Sequence, residues 1–296
     1  MNEHEDPTRQ QPQALIVSLI FLFAACDLMA PVLLRGAHDR GGEILAVMLG
    51  GAFAGQAGLL AVWAVFGPGS LLVRSLMVTS VGMLLGCATV FGALLAGAPP
   101  AEFRGIIPSI AIMPLLFLAV QSPVWLLRLA VGGRIVLRGM EETASPANPR
   151  QFSIGDLLVT TTLVAICLGL AQLAMPAVGY AGQPGGGPFW SVLLIACGIV
   201  AVWSLLGVVP SVWAALVARN PGPAVGVVGL LAVLLTFLAG VTLRALSGGP
   251  LGGTLFLMLF LFQFGTMGVL LSALLPVRYG GYVYRKSPRQ PDDRLP

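Results

Sequence analysis

Charge is what this sequence has least of. Only 9% of its residues are Asp, Glu, Lys or Arg, where a water-soluble domain carries about a quarter. With 57% hydrophobic residues and a mean hydropathy of +0.91, there is no room for a water-facing surface of ordinary size. Lipid must be the solvent for most of this chain. Histidine is nearly missing. His4 is in the N-terminal segment and His38 in a loop, which excludes a histidine relay or metal site inside the bilayer. The four cysteines, Cys26, Cys87, Cys167 and Cys197, lie in apolar runs without a CxxC pair and read as small packing residues. No GxxxxGK[ST], HExxH or GxSxG is present, so the common phosphate-binding, zinc-protease and serine-hydrolase designs are excluded. No cofactor is implied, and no nucleic-acid partner. Lysine occurs once, at Lys286, against fifteen arginines. With the load of Ala, Gly and Pro, that bias points to a GC-rich bacterial genome.

What the sequence has is long apolar runs. A helix needs about 20 apolar residues to cross the hydrocarbon core. Eight runs qualify: Ala14–Leu34, Ile44–Phe66, Leu76–Leu95, Ile106–Leu127, Leu157–Met175, Phe189–Val209, Ala224–Leu243 and Leu251–Leu275. They are continuous rather than alternating and twice the length of a barrel strand, so β-barrel strands are out of contention. The expected fold class is an all-α integral membrane protein of about eight transmembrane helices. No soluble domain fits in the connections.

Basic residues set the orientation. With eight spans, one side receives Arg9, Arg74, Arg128, Arg134, Arg138, Arg150, Arg219, Arg278, Arg285, Lys286, Arg289 and Arg294. The other receives Arg35, Arg40, Arg104 and Arg244. The richer side should be cytoplasmic, with both termini inside, in a bacterial cytoplasmic membrane. Trp63, Trp125 and Trp203 then fall near inner helix ends, where indole rings favour the interface. The stretch from Leu22 to Asp27 resembles a lipoprotein cleavage box. The segment before it is net acidic and apolar sequence continues to Leu34, so the first run is expected to be a span and not a cleaved signal.

The chain also resembles itself. The block Gly58 to Gly67 matches Gly198 to Gly207 at five of ten positions with an offset of 140. Each is followed by a Pro and a Leu-Val…Arg segment, ending at Arg74 and Arg219. Cys26 pairs with Cys167 and Gln121 with Gln263 at nearly the same offset, and Gly132-Gly133…Arg138 compares with Gly280-Gly281…Arg285. These matches predict two parallel four-helix repeats, 14–131 and 153–275, related by an axis along the membrane normal. Around them lie a cytoplasmic tail at 1–13, a linker at 132–152 and a basic tail at 276–296, which should rest on anionic headgroups.

The opening Gln151-Phe152-Ser153-Ile154-Gly155-Asp156-Leu157-Leu158, leading into a Thr- and Ala-rich run, resembles that of uncharacterised multi-pass membrane proteins of planctomycete-type bacteria. The block from Ala61 and Trp63 through Gly67-Pro68-Gly69 to Arg74 is similar to a second recurrent block in them. The likeness covers about a fifth of the chain, and the first half lacks the Phe-Ser pair. It implies a bacterial membrane location and no activity.

Few polar residues remain to carry chemistry. Asp156 reads as a helix cap through Ser153-x-x-Asp156. In the repeat alignment Asp27 stands about 18 Å deeper than Asp156, at about 1.5 Å per residue, so the two cannot form an aspartyl-protease dyad. Asp27 lies within an apolar run, where a carboxylate costs about 3 kcal/mol or more. Two readings are open: a structural pair with an outer arginine such as Arg104 or Arg244, or a cation or proton site in a cavity. Gln56, Gln121, Gln172 and Gln263 are candidates for interhelical hydrogen bonds, with Gln121 and Gln263 set apart as a repeat-related pair. Gly51-x-x-x-Gly55 and Gly82-x-x-x-Gly86 permit close helix approach, and Pro108, Pro114 and Pro123 should kink the fourth span. The leading expectation is a non-enzymatic structural or assembly protein. A transporter or channel for a small solute comes second, and a membrane-embedded enzyme last, for want of a nucleophile, base and orienter together.

Overall fold

In the computed structural model the described residues are 7–37, 40–67, 70–97, 100–131, 133–137, 187–247, 253–280 and 282–286, with isolated helical positions between 161 and 172. More than half of the fifth predicted run therefore lies outside them, as does Asp156. Four helices come first: α1 (Pro7–Gly36), α2 (Arg40–Phe66), α3 (Leu71–Leu95) and α4 (Pro100–Val131), followed by strand β1 (Gly133–Leu137). After the gap comes α5. It runs as α-helix over Gly187–Trp203 and continues unbroken through a π turn (Ser204–Val208), an α turn (Val209–Val212) and a second π turn (Trp213–Val217). Helices α6 (Pro221–Ser247) and α7 (Gly253–Tyr279) and strand β2 (Tyr282–Lys286) complete the chain. Six of these helices are long and apolar enough to cross a membrane: Ala14–Gly36, Gly41–Phe66, Leu71–Leu95, Trp190–Val217, Pro221–Thr242 and Phe256–Tyr279. The chain is a multi-pass helical membrane protein.

The central layer is α2, α4, α5 and α7. Their shared core holds Val62, Val65, Val120, Val124, Val208, Val212, Leu270 and Leu274. Helices α1 and α3 pack together on one flank, and α6 packs against the end of α5 and α7. Outward faces carry Phe21, Leu76, Leu194, Leu230 and Phe237 to the lipid. The closest crossing is α2 on α7. A Cβ at Gly55 would lie 2.8 Å from the Thr266 carbonyl oxygen and 2.7 Å from Val269 Cβ, and one at Gly265 would lie 2.9 Å from the Met48 carbonyl oxygen. Backbones thus meet directly, as small residues allow. Gly51-x-x-x-Gly55 therefore serves packing within the fold. Gly82-x-x-x-Gly86 does not: Gly86 has nothing within 4 Å.

Several expectations need correction. The sixth run, Phe189–Val209, stops short of Pro210, which lacks an N–H and whose ring clashes with a normal helical turn. The helix passes it by widening on both sides, with Val209 N–H reaching the Ser204 oxygen and Ala218 N–H the Trp213 oxygen, five residues back in each case. Such π turns relieve a local misfit without ending the helix. Trp203 therefore sits near the middle of the span Trp190–Val217, not at its inner end, and has no equivalence in depth with Trp63 in the last turn of α2. Helix α4 runs from Pro100 to Val131 and so takes in Pro108, Pro114 and Pro123. Helix α3 starts at Leu71 and α7 continues past Pro276 to Tyr279, so Arg74 and Arg278 belong to helices and not to loops.

These arginines hold helix ends. Arg74 Nη1 donates to the carbonyls of Val65 (2.7 Å) and Gly67 (3.2 Å) at the end of α2. Arg128, stacked 5.1 Å over Trp125, donates to the same Val65 carbonyl. Arg278 donates to Ala215 (2.9 Å), Ala218 (2.8 Å) and Arg219 (3.2 Å) at the end of α5. The last carbonyls of a helix have no partner of their own, and a guanidinium supplies several donors together with charge suited to the dipole. Beyond the same end of the bundle, β1 and β2 pair antiparallel with Ile135 opposite Tyr284. This ribbon adds to the all-α expectation: the linker and the basic tail join across the two halves of the sequence. Tyr282 is buried beneath it, edge-on to Trp63 at 6.4 Å.

Candidate functional site

Helix α1 has a lipid stripe at Leu22, Cys26, Met29 and Leu33, all exposed, spaced four, three and four apart as one helix face requires. Its opposite face turns Asp27 and Ala30 inward, at 2% and 1% exposure. Beside them α3 closes in, since Gly92 presses against the Leu28 carbonyl too tightly for any side chain. Asp27 meets Gln56 of α2, whose Nε2 donates to Oδ1 at 2.8 Å. Each residue lies close to the midpoint of its span, Ala14–Gly36 and Gly41–Phe66. The carboxyl group is thus near mid-span, two residues past the midpoint of Ala14–Gly36.

The arginines expected as its partner, Arg104 and Arg244, have side chains outside the described residues. Among the described residues no arginine reaches Asp27; Arg35 lies eight residues further along α1, about 12 Å away at 1.5 Å per residue. Ionising a buried carboxylate costs several kcal/mol even after relaxation, about the scale seen for protein interiors. One hydrogen bond to a charged group returns about 1.5–3 kcal/mol. A single amide is therefore a meagre solvent for a charge.

A second polar group is built on α7. Gln263, 9% exposed, accepts from Trp203 Nε1 at 3.2 Å. Its amide nitrogen lies against Gly207, where a Cβ would be only 2.8 Å away, so the glycine makes the room the amide occupies. One turn on, Thr266 Oγ1 donates to the carbonyls of Gly51 and Phe262, both at 3.0 Å. Ser204 Oγ donates to Val120 at 2.7 Å and Ser211 Oγ to Gly207 at 2.7 Å. These residues lie around the middle of the membrane and link α2, α4, α5 and α7. Gln121, paired with Gln263 by the sequence, is half-buried on α4 and hydrogen-bonds no described residue. Gln172 is exposed.

The arrangement brings together Asp27 with Gln56, and Gln263 with Trp203. Gln121 joins neither pair. The partnership of Gln56 with Asp27 was missed, though a signal existed: each of the first two runs carries one strongly polar residue near its centre. The bond between Trp203 and Gln263 had no such signal, because it depends on α5 extending past Pro210. Chemically, the two sites offer one carboxyl, two carboxamides and an indole. Among the described residues no three His, Cys, Asp or Glu side chains gather at one point. No family model, curated protein or solved structure matches this chain.

Proposed function

We propose that this chain is a non-enzymatic structural or assembly protein of a bacterial cytoplasmic membrane, built from two four-helix repeats with both termini cytoplasmic. The observation that carries the role is the seam between α2 and α7. Gly51, Gly55 and Gly265 bring two backbones into contact across the centre of the molecule, and Thr266 bonds over the seam. A dry, backbone-close seam is suited to holding helices together and leaves no solute path between them.

A second set of equivalences stands at a different offset from the 140-residue match. Arg128 caps Val65 and Arg278 caps Ala215, and each pair is 63 residues apart. The offset is then 150, which sets Trp63 against Trp213. The ribbon pairs Ile135 with Tyr284, an offset of 149. Eight spans follow if the segment between β1 and α5 supplies one more, with α4 also crossing. The basic end, with Arg74, Arg128, Arg278 and the ribbon, faces the cytoplasm and anionic headgroups under this reading. The planctomycete-type resemblance belongs to the same proposal and adds a bacterial origin only.

The test is solvent access. Thr266→Cys and Gln263→Cys should resist a membrane-impermeant thiol reagent from both sides in lipid vesicles, and a reporter fused after Pro296 should be cytoplasmic. Labelling at either cysteine would favour the second reading, a transporter, whose particular support is the buried pair Asp27 and Gln56.

A further inference from the structure

We propose that Asp27 is a proton-binding site: its side chain is held at mid-membrane as a neutral carboxylic acid, hydrogen-bonded through its carbonyl oxygen to Gln56. Three observations carry this. Asp27 is 98% shielded from solvent on the 2% exposure of its side chain. Its hydrogen-bond partner is a neutral carboxamide that donates to Oδ1, a contact that the carbonyl oxygen of an acid accepts as well as a carboxylate does. The backbone of α3 at Gly92 packs directly against the carbonyl of Leu28, the residue after Asp27.

The charged and titratable groups of every element packed on α1 are remote from it or engaged elsewhere. On α1 itself Arg35 is exposed at the outer end and Cys26 faces lipid. On α2, Glu43 is exposed and Arg40 is the first helical residue, about four turns from Gln56. On α3, Arg74 is engaged with the end of α2, and Cys87 is exposed. On α7, Arg278 is engaged with the end of α5. Among the described residues the polar partner of Asp27 is the uncharged Gln56. Burial with a neutral partner favours the uncharged form of a carboxyl group. Protonation needs no co-reactant: one proton leaves water, one O–H bond forms, and the negative charge is removed.

This does not depend on the structural reading, since a neutral acid can tie α1 to α2 in a scaffold or load a proton in a carrier. The experiment is infrared spectroscopy of the full chain in lipid vesicles at neutral pH. Wild type minus Asp27→Asn should show one acid C=O stretch per chain, clear of the amide and carboxylate bands, unchanged between sodium and choline buffers. Gln56→Leu should move that band to higher frequency by removing the donor to the carbonyl oxygen. If Asp27→Asn does not fold, wild type labelled with carboxyl-13C aspartate reads the same band directly, as the isotope shifts it. Loss of a carboxylate band in place of an acid band would overturn the proposal. So would an acid band that vanishes in sodium, which would make the site a cation site, or a band unmoved in Gln56→Leu.

Discussion

Replacing Gly55 by alanine inserts one methyl group into the tightest crossing of the bundle. The new carbon would lie 2.7 Å from Val269 Cβ, 3.0 Å from Val269 Cγ1 and 2.8 Å from the Thr266 carbonyl oxygen. Relaxed carbon–carbon contacts need about 3.5–4.0 Å, so α2 and α7 must part by roughly 1 Å at this turn. A gap of that size forfeits up to about half of each contact's 0.1–0.2 kcal/mol, and a buried side chain makes about 40–60 contacts. At half of each contact the loss is about 2–6 kcal/mol, overlapping the 1–3 kcal/mol typical of overpacking. Against it stands the helix preference of alanine over glycine, about 0.5–1 kcal/mol. Gly268 is the internal control: it is exposed on the same crossing partner and has nothing within 4 Å, so Gly268→Ala should gain that preference and lose nothing. The two variants should differ by about 3 kcal/mol, roughly a hundredfold in the unfolding equilibrium at 1.4 kcal/mol per decade. Reversible unfolding in mixed micelles, followed by tryptophan fluorescence, measures it. If Gly55→Ala matches or exceeds Gly268→Ala in stability, the backbones do not meet as described and the seam cannot carry the proposed role.

Arg278→Ala removes three bonds to the end of α5 and should cost roughly 2 kcal/mol in the same assay at a net 0.5–1.5 kcal/mol per bond, while Arg278→Lys should restore only part, lacking the planar fork. A double-mutant cycle of Trp203→Phe with Gln263→Leu should give a coupling of about 0.6 kcal/mol, at most about 1.7, as for other interhelical bonds in membranes; zero coupling would remove that bond from the account. Burial raises the Tyr282 hydroxyl above its ordinary 10.0. The unfolded chain therefore loses this proton first, so Tyr282 adds stability below pH 10 that falls away as pH rises further; thermal unfolding of Tyr282→Phe across that range should show a flatter decline than wild type.

The spans were legible because lipid leaves hydropathy little freedom: the limits Ala14, Phe66 and Leu95 read from the runs reappear as span limits in the structure. Punctuation was the weaker signal. Pro210 reads as a stop, yet two π turns absorb it, and nothing local announces that a helix will widen there. Arg74, Arg128 and Arg278 were legible as charges on one side but not as caps, since their acceptors belong to other helices. The same limit applies to the two GxxxG patterns. Spacing says that a helix has a smooth face; it does not say which face meets a neighbour, so Gly51 and Gly55 are buried in a seam while Gly86 is open. At the candidate site Asp27 stood out by its cost alone. Its rotation toward Gln56 is tertiary, as is the bond of Gln263 with Trp203, in which Gln121 has no part.

The ribbon has a consequence for the order in which the molecule is made. Strand β2 is read out 149 residues after β1, counting from Ile135 to its pairing partner Tyr284. At about 5–20 residues per second of synthesis, β1 waits roughly 7–30 seconds for its mate. The Gly51 face of α2 waits about 11–43 seconds for Thr266 of α7, 215 residues on, and the Ala215 carbonyl about 3–13 seconds for Arg278, 63 residues on. The first helices must therefore persist in the bilayer as an open, half-capped intermediate. Chaperones or proteases of the membrane would meet the chain in that state, and arrival of α7 and β2 closes seam, cap and ribbon nearly together.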